Sequence, residues 1–217
     1  MAAVGGVPEA GTGGIEQDGL NNLREFVRAG GTLVAFNQAA SSLVPLMSLP
    51  VRNVLQGLSN DKFYCAGSLL RVETEHPDMP VNYGVPASPV IMFERGPAFE
   101  TLPGFKGAVL ARYAKETDPL ESGMILHSEL LHDKVAALEL AYGRGRILLY
   151  GFKPQHRGQA HGTYRYLFNA LYLYDNPPMP PEPSSAAPAA TPPVTPPATP
   201  AVQEPTAGRR RSGGSQP

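Results

Sequence analysis

The chain has 217 residues, 42% of them hydrophobic, and a formal net charge of −1. That balance argues against nucleic acid or an anionic membrane as a bulk-charge partner, and no apolar run reaches the length needed to span a bilayer. Cys65 is the single cysteine, so an internal disulfide is excluded and the redox compartment is not encoded.

Residues 1–17 read as a flexible, glycine-rich lead with no apolar signal-peptide core. A helix is predicted over 18–29, with Leu20, Leu23, Phe26 and Val27 on one face, Asp18 as N-cap and Gly30–Gly31 as the stop. The uninterrupted apolar run "TLVAF", residues 32–36, predicts a strand covered on both faces, as in a parallel sheet. A short helix follows over 38–47. Strands are predicted over 67–74, 89–94 and 107–114. Residues 134–152 predict a hairpin that turns at Gly143-Arg144-Gly145, where glycine supplies the positive φ of a tight turn. A last helix is expected over about 162–174, with Tyr166, Leu167, Ala170, Leu171 and Tyr174 facing inward.

Thirteen of the 24 prolines lie from Pro177 onward, among Ala, Thr and Ser. Such a segment buries too little apolar surface to offset its ordering entropy, so residues 176–217 are expected to be a disordered tail. Its end carries the only basic run, Arg209–Arg211, read as a solvated terminus.

This order of elements predicts an α/β domain with a mixed, flavodoxin-like sheet and helices on both faces. A doubly wound sheet normally opens with its own strand, yet here a helix comes first. The domain over 18–175 is therefore expected to lack its opening strands, leaving one sheet edge as a template for pairing and the chain prone to associate.

Candidate chemistry centres on "GFKPQHRGQAHGTYRYLFNALY", residues 151–172. His156 and His161 are five apart, about 140° around a helix, so they share no helical face. His127 and His132 have the same spacing and the same difficulty. No Cys joins either pair and no HExxH is present, so a zinc site is disfavoured. Gln155, His156, Arg157 and His161 are better read as a polar structural or binding cluster at a strand-to-helix joint. There Gln155, His156 and Arg157 hydrogen-bond loose carbonyls, and Thr163 or His161 caps the helix.

A nucleophile in such folds often sits on the sharp turn after a strand. The place after "TLVAF" holds Asn37, Gln38, Ala39 and Ala40, with Ser41 and Ser42 beyond, and lacks the G-x-S-x-G setting. Ser41 and Ser42 are read as helix-terminal hydroxyls, and Cys65 as a small buried side chain. Arg144 and Arg146 are read as a solvated turn. Residues 76–89, "HPDMPVNYGVPASP", are read as a surface loop able to line a groove through Tyr83.

The stretches "LREFVRAGGTLVAFNQAAS", "FYCAGSLLRVETEHP" and "YGRGRILLYGFKPQHRGQAHGTYRYLFNALY" together resemble one family. It is the class I glutamine-amidotransferase-like domain at the C-terminus of certain bacterial zinc carboxypeptidases of the M14 family. The resemblance covers roughly residues 11–175. It implies an exported protein and an upstream peptidase domain as partner, with zinc held there by two His and a Glu. No cofactor is expected in this chain, and no catalytic or metal residue is assigned. By the same resemblance the amidotransferase cysteine falls near Asn37, which cannot attack a carboxamide. The expected function is a non-catalytic accessory domain, structural or substrate-positioning. The alternatives are a free-standing binding module for carbohydrate or protein, and a hydrolase using His156 and His161.

Overall fold

The structure is a computed structural model that describes residues 15–172. The glycine-rich lead up to residue 14 and the expected tail lie outside the described residues, as does Tyr174. The first element is α1, Glu16–Arg28. Its amphipathic pattern buries Leu20 and Val27, with Leu23 packed partly behind them. Phe26 is exposed, its ring lying over Gly31, where an added Cβ would come within 2.5 Å. Asp18 is not the cap; it sits inside the first turn, and Ile15 occupies the N-cap position without a side-chain bond. The predicted stop holds: Gly30, at φ +120°, and Gly31 donate their N–H groups to the Val27 and Phe26 carbonyls.

The strand β1, Thr32–Phe36, runs parallel to a late strand, β10, Gly145–Tyr150. Between them in sequence come α2, Gln38–Leu46, then β2, Val51–Asn53, β3, Ser68–Arg71, β4, Glu73–Thr74, and β5, Val90–Phe93. β6, Phe99–Thr101, β7, Gly107–Arg112, β8, Leu120–Ser122, and β9, Val135–Tyr142, complete the set, and α3, Tyr164–Tyr172, closes it. The main sheet has the order β1-β10-β9. Beyond β9 its far edge is shared: β7 pairs along most of its length and carries β4, while β6 pairs at Val135 and carries β2. A second, antiparallel sheet has the order β5-β3-β8.

The predicted strand over 67–74 is thus two strands in two sheets. β3 joins the small sheet, and after Val72 the chain passes to β4 in the main one. The hairpin is as expected: β9 and β10 pair antiparallel from Tyr142↔Gly145, with Gly143 at φ +64°. That glycine is also required by packing, because a Cβ there would lie 2.7 Å from Arg28 Cα. The turn sits against the end of α1, where the Arg144 N–H donates to the Arg28 carbonyl.

Two apolar clusters sandwich the main sheet. On one face α1 and α2 cover Ala35, Leu138, Leu140, Ile147 and Leu149. On the other, the small sheet and α3 cover Ala108, Leu110, Leu148 and Tyr150, with Phe93, Tyr113, Phe152 and Tyr166 as the largest members. Both faces of "TLVAF" are therefore covered, Leu33 and Ala35 by the first cluster and Val34 by the second. The strand is only half buried because it is the end strand of the sheet.

Three further expectations are corrected. Arg146 is not a solvated turn residue; it is buried beside Glu139, with Nη1 3.4 Å from Oε1. Residues 76–89 are no simple surface loop. They contain a 3-10 turn, Pro80–Asn82, and bury Met79, Val81 and Val85. The Asn82 amide, 1% exposed, lies within hydrogen-bond reach of the Glu75, His76 and Leu110 carbonyls at 2.6, 3.1 and 3.3 Å. Leu171 points outward on α3 and is exposed.

Candidate functional site

In open α/β sheets, ligands collect in the crevice beyond the carboxyl ends of parallel strands. Here β1 and β10 end side by side, Phe36 opposite Tyr150. The residues that follow them build the site. Asn37 is the joint between β1 and α2. Its N–H donates to the Tyr150 carbonyl at 2.8 Å, and its backbone is at φ 54°, ψ −129°. An L-residue enters that region only where the surroundings force it. Beneath it lies a backbone-on-backbone contact. Cβ atoms on Gly96 and Gly151 would lie 1.9 Å from Gly151 O and 2.1 Å from Pro97 O, so no side chain fits between the segments. Asn37 Oδ1 is buried against Gly96 with no hydrogen-bond partner.

Two cavities open at this joint, sharing Gln38. One, of about 670 Å³, is lined by Phe36, Asn37, Gln38, Ala39, Lys153, Gln155, His156 and Arg157. The other, of about 380 Å³, is lined by Gln38, Ser41, Asn53, Gln56, Asn60, Phe63, Tyr64 and Arg95 among others. Gln38 ties the two together by donating from Nε2 to the Arg95 carbonyl. Arg95 and Arg157, like Asn37, have positive φ, 52° and 46°. Asn37 and Arg95 follow the ends of β1 and β5, and Arg157 lies in the loop after β10, so a residue of positive φ lines each of the two cavities; such strain is common at functional sites.

The electrostatics are cationic. Lys153 pairs with Glu94. That hydrogen bond holds the Glu94 carboxyl below the ordinary carboxylate range against the opposing effect of burial, with lesser help from the charges of Lys153, His156 and Arg157. No carboxylate lines either cavity.

The structure brings together three of the four residues singled out from the sequence. Gln155, His156 and Arg157 line the crevice with Asn37. His161 is elsewhere: exposed in a 3-10 turn, His161–Thr163, with its ring 5.3 Å from that of Tyr164. The hydroxyl of Thr163, 2.7 Å from the Pro154 and Ala160 carbonyls, does the work expected of the polar cluster on loose carbonyls. His127 and His132 flank another 3-10 turn, Ser128–Leu131, where His127 Nδ1 is 3.0 Å from Glu129 Oε1. Among the described residues no group of three or more His, Cys, Asp or Glu is placed to hold a metal ion.

The other candidate nucleophiles are engaged or buried. Ser41 Oγ accepts from Asn53 Nδ2 at 3.0 Å, and Ser42 Oγ donates to the Gln38 carbonyl. Cys65 is buried, and burial raises its thiol above the ordinary range, which disfavours the reactive thiolate. Sequence reading missed Arg95, Gln56 and Asn60. They lie in segments with no periodicity and meet Gln38 only through tertiary packing.

No protein-family model matches the chain, and no curated protein matches it. Solved structures do. One is a cytoplasmic protein from Salmonella typhimurium, 16% identical, covering 74% of this chain and 61% of its own, with a TM-score of 0.46. Another is a protein described as a GMP synthase component from Thermoplasma acidophilum, 12% identical, covering 72% and 64%, with a TM-score of 0.46. A third, described as ThuA-like, from Parabacteroides merdae, is 13% identical and covers 77% and 69%, with a TM-score of 0.47. This chain spans about three fifths of the Salmonella protein's length. The architecture itself, a mixed sheet with helices on both faces and a crevice at its strand ends, is the α/β fold expected from the sequence.

Proposed function

We propose that this chain is a non-catalytic accessory domain that positions a ligand for chemistry carried out elsewhere. One observation carries the reading: the strained turn between β1 and α2, where a fold of this kind presents its nucleophile, presents the amide of Asn37. A carboxamide neither attacks a carbonyl nor exchanges protons near neutral pH. Gln38, Ala39 and Ala40, which follow, carry no nucleophile either. What the site retains is a cationic, preformed crevice with His156 and Arg157 in its wall, which suits binding. The catalytic partner, by the resemblance in the sequence, is an upstream zinc carboxypeptidase domain, and the zinc belongs to that partner.

The test has two arms. The purified chain, incubated with glutamine, simple esters and short peptides, is expected to give no turnover above a blank. Fused behind an M14-family peptidase domain, it is expected to lower KM while leaving kcat nearly unchanged, the signature of binding shared by ground and transition states. His156→Ala and Arg157→Ala are expected to reverse that gain. Glutaminase or esterase activity lost in His156→Ala overturns the non-catalytic reading.

A further inference from the structure

The smaller cavity has a chemistry of its own, and of the larger cavity's lining it shares Gln38 alone. Half of its polar wall is already fixed. Gln38 holds the Arg95 carbonyl, Asn53 Nδ2 donates to Ser41 Oγ at 3.0 Å, and Asn53 Oδ1 accepts from the Leu55 N–H at 3.0 Å. The other half is unspent. Among the described residues the side chains of Gln56, Asn60 and Arg95 have no hydrogen-bond or ion-pair partner. A guanidinium offers five N–H donors and no acceptor, while a carboxamide offers two donors beside its acceptor oxygen, so the surplus of donors comes from Arg95. Arg95 is the only formal charge in the lining, and no carboxylate opposes it. Phe63 and Tyr64 supply aromatic surface, and Leu55 and Leu58 supply an apolar wall. The volume, about 380 Å³, falls in the range of small-molecule sites.

A surplus of donors, one cation and aromatic surface select a small monoanion with acceptor groups and a face to stack. We propose that this cavity binds a small organic carboxylate, with the carboxylate on Arg95, hydrogen-bonding groups on Gln56 and Asn60, and the body against Phe63 and Tyr64. A planar guanidinium matches a carboxylate in two parallel hydrogen bonds. Arg157 in the adjoining cavity adds positive potential without lining this one, while the charge of Lys153 is offset by Glu94. Acidic sugars and N-acylated amino acids share this chemistry. The proposal does not depend on whether the elbow is catalytically silent.

Isothermal titration of the full chain separates the sources and tests the idea. The probes are glucuronate against glucose, N-acetyltyrosine against its carboxamide, and inorganic phosphate. At least one free acid is expected to bind, and its uncharged counterpart at least ten-fold more weakly; which acid binds identifies the source. Arg95→Gln, which keeps a long polar side chain and removes the charge, is expected to abolish the discrimination while the thermal melt stays cooperative. Asn60→Ala is expected to weaken binding a few-fold, and Arg157→Gln to change it less than two-fold at physiological salt. The proposal is overturned if neither acid binds, if acid and neutral counterpart bind alike, if Arg95→Gln retains the preference, or if phosphate binds more tightly than both acids. Consumption of a bound acid would overturn the non-catalytic reading instead and leave this assignment standing.

Discussion

Replacing Asn37 by glycine should make the protein more stable. At φ 54°, ψ −129° the residue lies outside the regions an L side chain favours, a strain of about 1–3 kcal/mol. Its Oδ1 is buried without a partner, a further desolvation cost of about 1–3 kcal/mol. Glycine removes both and gives back about 0.5–1 kcal/mol through the greater freedom of its unfolded chain. The net gain is about 1–5 kcal/mol. For a domain of this size each kcal/mol moves Tm by about 2–4 °C, so Asn37→Gly should melt roughly 2–20 °C higher. Asn37→Ala, which keeps the φ problem and removes only the amide, should gain less. Calorimetry of the three proteins side by side is the assay. A lower Tm for Asn37→Gly would refute the account, because the amide would then be contributing an interaction larger than the strain it endures.

Asn82→Ala should cost about 1–3 kcal/mol: of its three acceptors, only the Glu75 carbonyl lacks another donor among the described residues, and a chemical-denaturation midpoint reads the loss. Gly96→Ala should cost about 3 kcal/mol or more, the upper end of overpacking, because the new methyl would lie 1.9 Å from a carbonyl and 2.8 Å from Asn37 Oδ1; a soluble variant with unchanged Tm would contradict the packing described. At high pH the fold should fail by ionising its buried tyrosines. Burial pushes Tyr166 up to about 12, and shifts Tyr113 and Tyr150 in the same direction. A folded pKa above the unfolded value of about 10 gives stability that is complete below pH 10 and lost as pH rises toward 12. Tyrosinate absorbance should therefore appear together with loss of secondary structure, and tyrosinate forming in a still-folded protein would refute this. Glu94 has the opposite sign: its lowered pKa gives stability present above the ordinary Glu value and lost as pH falls through the folded pKa, so Glu94→Gln should flatten the acid limb of a Tm–pH profile.

Periodicity exposed those elements whose burial is decided locally. "TLVAF" reads as a strand because five apolar residues in a row expect cover on both sides, and the α1 stop reads from Gly30–Gly31. The hairpin reads from glycines that a tight turn requires. What stayed hidden depends on partners distant in sequence. Nothing in "SLLRVET" says that the chain changes sheets at Val72, because a strand pattern is the same whichever neighbour it finds. Arg146 looks like any turn arginine until Glu139 stands across the hairpin. Asn82 looks like a loop residue until three carbonyls converge on it. For the site, three of the four candidates in "KPQHRGQAH" line the larger cavity. His161 leaves it because the 3-10 turn rotates it onto Tyr164. Arg95 could not be found at all, since its importance lies in facing a cavity with no counter-ion.

The crossing at Val72 also has a mechanical consequence. The walls of the crevice come from different sheets: Arg95 and Gly96 follow β5 of the small sheet, while Lys153–Arg157 follow β10 of the main one. Besides the Lys153–Glu94 ion pair, two backbone stitches join one wall to the other. The first is the single residue between β3 and β4, too short to act as a hinge. The second is the bridge between Met92 and Lys153, whose N–H donates to the Met92 carbonyl at 3.0 Å. Shear of one sheet over the other would load these links before it changed the aperture. The crevice behaves as a clamp of set gauge, widened by breaking a stitch and not by bending a loop.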